Sequence, residues 1–432
     1  MRLSPNEDQR RQQYLDFLAR CRQVFAPFAP IELPDFFAGR TKEVEVLIDE
    51  VGAPGRQIAI LGERGVGKTS LALLAPFFVN RNDSDCFYTR CTRNSTFESI
   101  FSEILAESGC VIALNGVEST QARSGRARFG PAELSGGKET RTTYRAITPQ
   151  RITPKLLENQ FGQRNGLLVI DEYDRVQESN THTQLAELLK HFSDVRSQTK
   201  IVVVGVAQTV RQLIGEHESL TRSLAWIRLD PMSDEELGDL LARGEARLGV
   251  AFKNQIKFRI VRLADGFPQF AHLIALYSAQ EAGKVLLDDP KARPVVAEKE
   301  YEGGLRYAVE RAEPQLIEDY EKAVVTTRRK SEKFELVLQA MALSESTAVQ
   351  VQDIATYAGE LTGERYSNAA FSYHLGELVK PERGGILTRV REGFYKFANP
   401  LMRPHVRLRL ELENFHHHGG QLVFRFMKQE RR

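Results

Sequence analysis

Apolar and polar positions alternate along the chain in several distinct rhythms, and each rhythm predicts an element. From residue 8 to 25 the period is helical, with Tyr14, Leu15, Leu18 and Phe25 on one face. "APFAPIELPDFF", with three prolines, ends that helix. "GRTKEVEVLIDEV" opens another. "QIAIL" (57–61) is a short buried strand, and "SLALLAPFF" an apolar helix. "DCFYTRC" is a strand with aromatic content, followed by the helix "STFESIFSEILAES", with Ser95 as N-cap and Glu98 at capping-box spacing. From Val117 to Arg151 the pattern fails, which predicts a long surface loop or a disordered insertion. Strands return at "GLLVIDEYD" (166–174) and "KIVVVGVAQT" (200–209). "ESLTRSLAWIRLDPMSDEEL" then gives a short helix, a strand and a new helix, N-capped by Ser233 with Glu236 at the capping-box position.

Beyond residue 232 the chain is helical. "EELGDLLARGEARLG" and "FAHLIALYSAQEAG" keep three- and four-residue apolar spacing, and "DDPKARP" is a turn. "SEKFELVLQAMAL", "VQDIATYAGELTG" and "SNAAFSYHLGELVK" are three further helices, and "GGILTRVREGFYKFANP" is a β-hairpin. Three helices and a hairpin are the order of a winged helix-turn-helix. Its recognition helix would run from Ser367 to Lys380, with Leu375, Leu378 and Val379 inward and Ser367, Asn368, Tyr373 and His374 outward. In "VRLRLELENF", Val406, Leu408, Leu410 and Leu412 alternate with Arg407, Arg409 and Glu411. With "HHHGG" and "QLVFRF" behind it, this predicts a terminal hairpin with one apolar face, His416 to His418 forming a solvated turn rather than a metal site.

Composition changes this picture little. A length of 432 residues allows two to four domains, and 42% apolar content supports real cores. A net charge of +2 leaves any nucleic-acid surface to a local patch. The four cysteines, Cys21, Cys86, Cys91 and Cys110, form no C-x-x-C and fit a reducing compartment. The N-terminus lacks a signal-peptide apolar core, and no stretch approaches the ~20 apolar residues of a membrane span, so a soluble cytoplasmic protein is expected.

Chemistry enters at "LGERGVGKTS". Gly62-x-x-x-x-Gly67-Lys68-Thr69 completes the P-loop pattern, flanked by the required strand and helix. Gly62, Gly65 and Gly67 free the backbone so that N–H groups along Glu63, Arg64, Val66 and Ser70 can turn toward one anion. Lys68 would reach the β- and γ-phosphates of ATP, and the Thr69 hydroxyl would ligate Mg²⁺. About 100 residues on, Asp171 and Glu172 end an apolar strand as a Walker B pair does. Asp171 would hold the Mg²⁺ hydration shell and Glu172 would activate the attacking water; otherwise the two lie on a surface turn. Gln208 or Thr209, beyond the next strand, would reach toward the γ-phosphate or be plain loop residues.

Together these residues resemble the AAA+ ATPases, in the branch shared by origin-recognition initiators and STAND-type regulators. The resemblance spans about Phe36 to about Leu410. It implies an α/β P-loop NTPase with a five-stranded parallel sheet (57–61, 86–90, 167–170, 201–204, 226–229), a helical lid and a C-terminal winged helix-turn-helix. The corresponding boundaries are 1–35 for an N-terminal helical segment, 36–232 for the ATPase core with its insertion at 117–151, 233–325 for the lid, 326–404 for the winged helix and 405–432 for the hairpin or tail. Gly39 and Arg40 match the Gly-Arg box that helps enclose adenine, and Arg222 stands where the family carries an arginine finger acting on a neighbouring subunit, or is a solvated arginine. Gly266-x-Pro268 resembles the STAND lid, in which the proline region packs near adenine. The initiators' sensor arginine is replaced by Gln269 or Phe270, which favours tight ATP binding with hydrolysis as a timer.

Two functions of different class follow. One is an ATP-driven switch that assembles as a homo-oligomer on duplex DNA, with Arg389, Arg391 and Lys396 of the wing, and Arg383 before it, contacting phosphates. The other is a signalling or scaffold NTPase whose winged helix docks an effector protein. A transposition-helper or clamp-loading role is a third. No nuclease, protease or deaminase constellation is visible in the sequence.

Overall fold

The computed structural model describes residues 5–80, 85–109, 152–206, 220–326 and 329–418, together with Phe424 and Met427. The 117–151 insertion, Cys110, Gln208 and Thr209 lie outside the described residues. Contacts divide the chain into two compact units, one comprising Thr41–Gly62 and Leu71–Arg228, the other Met1–Arg40, Glu63–Ser70 and Leu229–Arg432.

The first unit is built on a five-stranded sheet of β1 (Gln57–Gly62), β2 (Cys86–Arg90), β3 (Leu167–Asp171), β4 (Lys200–Gly205) and β5 (Leu224–Leu229), in the order β2-β3-β4-β1-β5. The pairs β2–β3, β3–β4 and β4–β1 are parallel. All five expected strands are present. Every residue of β3 and β4 is buried, as in a sheet covered on both faces, which is why these strands read as unbroken apolar runs. Phe97, Phe101, Ile104, Phe161, Leu188 and Phe192 from flanking helices join Leu168, Ile170, Ile201 and Val203 in one core. The helix Phe97–Glu107 is capped by Thr96, with Ser99 closing the capping box, not by Ser95 and Glu98. Ser95 Oγ instead accepts from the Thr92 N–H at 2.8 Å. Two adjacent hydroxyl residues compete for one cap, and local backbone geometry chooses between them.

The second unit holds the helical lid and the C-terminal module. Ser233 and Glu236 form the expected capping box on the helix Asp234–Leu248. The helix Pro268–Gly283 is buried along most of its length; Phe17 of the N-terminal helix Pro5–Val24 lies so close to Gly283 that a Cβ there would sit 2.4 Å from its ring. Farther on, the helices Glu332–Leu343 and Val351–Thr362 precede a short 3-10 turn, Asn368–Phe371, and the helix Ser372–Leu378. Leu387–Arg391, Phe394–Phe397 and Val349–Gln350 form a small antiparallel sheet. The expected fourteen-residue recognition helix is thus a 3-10 turn followed by seven α-helical residues.

The expected C-terminal hairpin is overturned at its first strand, because Met402–His418 is one α-helix. Its alternating polar residues do not face water. Arg407 and Glu411 are buried with Val406, Leu408 and Leu410, so the helix is enclosed nearly all round. Leu, Arg and Glu are strong helix formers, and the two-residue alternation records buried charges with partners rather than an exposed face. His416 and His417 are exposed at its end. Among the described residues no helix is long and apolar enough to cross a membrane.

Candidate functional site

β1 ends at Gly62, the chain loops through Glu63–Gly67, and a helix begins at Lys68. Gly65 and Gly67 adopt φ of 81° and 97°, the left-handed region that a side chain disfavours. Lys68 Nζ folds back over the loop and donates to the Glu63 carbonyl at 2.8 Å. Val66 is fully buried, Thr69 is half-buried, and Ser70 Oγ accepts from the Ile31 N–H at 3.0 Å. The loop is also covered. A Cβ on Gly65 would lie 2.7 Å from Leu401 Cδ2 and 3.3 Å from Gln269 Oε1, and Arg64 pairs with Glu313 at 2.5 Å. Of the two candidates for the sensor position, Gln269 lies against the loop, while Phe270 is buried.

Gly39 and Arg40 both have positive φ, 68° and 60°. Arg40 is 2% exposed, and its Nη2 donates to the Val66 carbonyl (3.0 Å) and the Asp230 carbonyl (2.6 Å). Its backbone N–H donates to Glu236 Oε1 at 2.9 Å. Burial raises the Glu236 pKa, but the N–H groups of Ser233 and Arg40 outweigh it and hold the carboxylate below its usual range. Arg40 therefore staples the P-loop to the start of the lid. At the other side of that junction, the Met232 N–H donates to the Gly266 carbonyl at 2.7 Å, and Pro268, buried, starts its helix. Asp265, just before, is gripped by Arg403 at 2.5 Å and Arg407 at 2.9 Å.

In the sheet unit, Asp171 is 1% exposed at the end of β3. Glu172 takes a left-handed conformation (φ 53°), and its N–H donates to Asp171 Oδ1 at 2.7 Å. Tyr88 on β2 donates its hydroxyl to Asp171 Oδ2 at 2.7 Å. Burial first, and then this bond to a carboxylate, push the Tyr88 pKa up, so the hydroxyl keeps its proton. Glu172 is paired with Arg90 and, at 2.9 Å, with Arg175. Arg222 is exposed, and its carbonyl accepts from Arg56 at 2.8 Å, Arg56 being held in turn by Glu50 at 2.9 Å.

In the C-terminal module Ser367, Asn368 and Tyr373 are exposed, as are Arg389, Arg391 and Lys396. His374 is not an outward group. Its ring stands edge-on to Phe334 at 4.8 Å, and burial, with Lys333 and Arg383 adding to it, lowers its pKa. Arg383 also turns inward, 4.0 Å above the Phe334 ring, and donates to the Ala323 carbonyl at 3.2 Å. Arg391 lies 3.9 Å over Phe394.

Leu401 and Glu313 lie against the P-loop in one unit, and Tyr88, Arg90 and Arg175 against Asp171 and Glu172 in the other; the sequence reading singles out none of them. Only Tyr88 and Arg90 carried a signal, since both lie on one face of the strand that pairs with Asp171.

A sequence profile described as "Novel STAND NTPase 1" matches residues 25–312. No curated protein matches the chain. Solved structures with a similar chain path include a Walker-type ATPase of Pyrococcus abyssi, at 16% identity, 89% of this chain, 99% of that one and a TM-score of 0.49. Cdc6p from Pyrobaculum aerophilum is 16% identical over 90% of this chain and 98% of its own, with a TM-score of 0.43. The ORC1 protein of Aeropyrum pernix, solved in complex with DNA, is 16% identical over 90% and 96%, with a TM-score of 0.42.

Proposed function

Because the chain belongs to the novel STAND NTPase 1 family, we propose that it is an ATP-binding and ATP-hydrolysing switch whose nucleotide state is transmitted to its own C-terminal module, and that it assembles on duplex DNA in a nucleotide-dependent way. The observation that carries this reading is the cover on the P-loop. Leu401 lies against Gly65, Glu313 holds Arg64, and Arg40 ties Val66 to the lid junction at Asp230. A ligand at the loop has to be accommodated by those three contacts, so occupancy and module position are linked.

Each unit carries residues that suit Mg²⁺-ATP: in one, a loop with two left-handed glycines and a lysine folded over it, and in the other, a buried carboxylate at a strand end. ATP supplies the phosphoanhydride bond and Mg²⁺ the charge that offsets its oxygens. The backbone N–H groups of Glu63 to Ser70 orient the phosphates. Lys68 would exchange the Glu63 carbonyl for a phosphate oxygen, and Thr69 and Asp171 would hold the ion. Glu172, once parted from Arg90 and Arg175, takes the proton from the attacking water. Arg222 acts on the neighbouring subunit's nucleotide in the assembled form.

Calorimetry tests the site: Lys68→Ala should abolish ATP binding, and unchanged affinity would refute it. For DNA, the exposed cations Arg389, Arg391 and Lys396 support a winged-helix contact. Changing all three to Ala should lower the salt slope of duplex binding by about 2–3, at roughly 0.9 counterions per contact. The second reading, a module that docks an effector protein, is favoured by Tyr373 and Val390, exposed by 66% and 50%. A parent protein that fails to bind duplex with ATP present would give it precedence.

A further inference from the structure

β2 meets the two carboxylates after β3 with two different donors. In the parallel ladder Tyr88 pairs with Val169 and Arg90 with Asp171. Tyr88 and Arg90 are two residues apart and so share a face of the strand, while Thr89 points the other way and donates its hydroxyl to Glu103 at 2.7 Å. The Tyr88 ring carries its hydroxyl forward to Asp171 Oδ2, and the Arg90 guanidinium takes Glu172. Of the two β2 side chains, the neutral donor bonds to Asp171 and the cation pairs with Glu172.

We propose that Tyr88 is a positioning residue for Asp171, orienting the carboxylate for Mg²⁺ through its hydroxyl and so setting the Mg²⁺ requirement of nucleotide binding. The proposal rests on the assignment of Asp171 to the ion made above. Asp171 Oδ2 receives the tyrosine hydroxyl and Oδ1 the Glu172 N–H, each at 2.7 Å, so both oxygens have a donor that fixes their direction. The kind of donor matters. A guanidinium on Asp171 would compete with a divalent cation for the same negative charge, whereas a phenol orients the carboxylate and leaves its charge in place. On Glu172, whose proposed task is to accept a proton, the arginines do the opposite and hold the charge back. The division between Tyr88 and Arg90 therefore follows the division of labour between the two acids.

Tyr88→Phe removes one oxygen and keeps the ring. Binding of a fluorescent ATP analogue would be measured while Mg²⁺ is titrated, and again in EDTA. The half-saturating Mg²⁺ concentration should rise on the order of tenfold, with affinity in EDTA unchanged. A merely structural tyrosine would lower both together. In an Asp171→Asn background, Tyr88→Phe should add nothing further, because the carboxylate it orients is gone. A half-saturation within about twofold of the parent, or effects that add in the double variant, would overturn the proposal. If the parent binds no nucleotide at all, the ATP assignment fails and this one falls with it. If the parent binds nucleotide and Tyr88→Phe unfolds in a thermal scan, 4-aminophenylalanine at position 88, which keeps a neutral para donor, and 4-methylphenylalanine, which keeps only the shape, replace it: Mg²⁺ half-saturation nearer the parent's with the amino than with the methyl side chain supports positioning, and equality of the two rejects it.

Discussion

In β3 all five residues are buried and four are aliphatic, whereas the helix Met402–His418 takes Arg407, Glu411, His405 and Asn414 into its buried surface along with its leucines. The strand needs only the transfer of apolar area out of water, about 25 cal/mol per Å². The helix needs partners for the charges it buries. Arg407 has the carbonyls of Ala342 (2.8 Å) and Ser344 (2.9 Å) and the carboxylate of Asp265 (2.9 Å). Burial pulls its pKa down to about 10, against the pull of Asp265, and it remains a cation. Glu411 has Arg259 at 3.2 Å and Asn414 at 3.3 Å. The strand is therefore tolerant of what fills it and the helix is not. The strand's one charge, Asp171, comes at its end, while the helix spends its charges on holding the module to the lid.

That contrast can be broken by substitution. The largest effect should be on turnover. Glu172→Gln should lower phosphate release about 10²- to 10⁴-fold with the melting temperature little changed, and turnover like the parent's would remove chemistry from the end of β3. Next, Arg407→Met leaves two buried carbonyls without their donor and Asp265 with Arg403 alone, and should cost about 3–5 kcal/mol in denaturant unfolding. The smallest should be Ile170→Val in β3, about 0.5–1.5 kcal/mol, since a methyl group is lost from an aliphatic core. If Arg407→Met costs no more than Ile170→Val, the two kinds of burial are equivalent and the comparison collapses.

The same contrast explains what was legible in the sequence. β1, β3 and β4 stand out as short apolar runs and β2 and β5 as short β-rich alternations, and each of the five expected spans lies within two residues of the observed one. Asp171 and Glu172 stand out as candidates because they close such a run. The terminal helix was misread because its rhythm encodes pairings with Asp265, Ala342 and Arg259, which no local window contains. The cover on the P-loop was invisible for the same reason: Arg64 and Glu313 are 249 residues apart. Neighbouring hydroxyls at Ser95 and Thr96 offered a cap without saying which would serve.

Two members of the terminal helix change the accounting of protons. Burial, with Arg409 nearby, lowers His405 from 6.5 to about 3, and burial raises Glu411 from 4.5 to about 7 in spite of Arg259. Glu411, raised, contributes stability that is full below pH 4.5 and is lost as pH climbs to about 7. His405, depressed, contributes stability present above pH 6.5 that is lost as pH falls toward 3. Between pH 4.5 and 6.5 the two slopes oppose each other. There, within this pair, the unfolded chain favours the proton on the imidazole and the folded chain favours it on the carboxylate, so folding shifts a proton six residues along one helix with little net exchange by the two groups. Glu411→Gln uncouples the transfer, and the stability of that variant should fall steadily as pH drops below 6.5 where the parent's holds level.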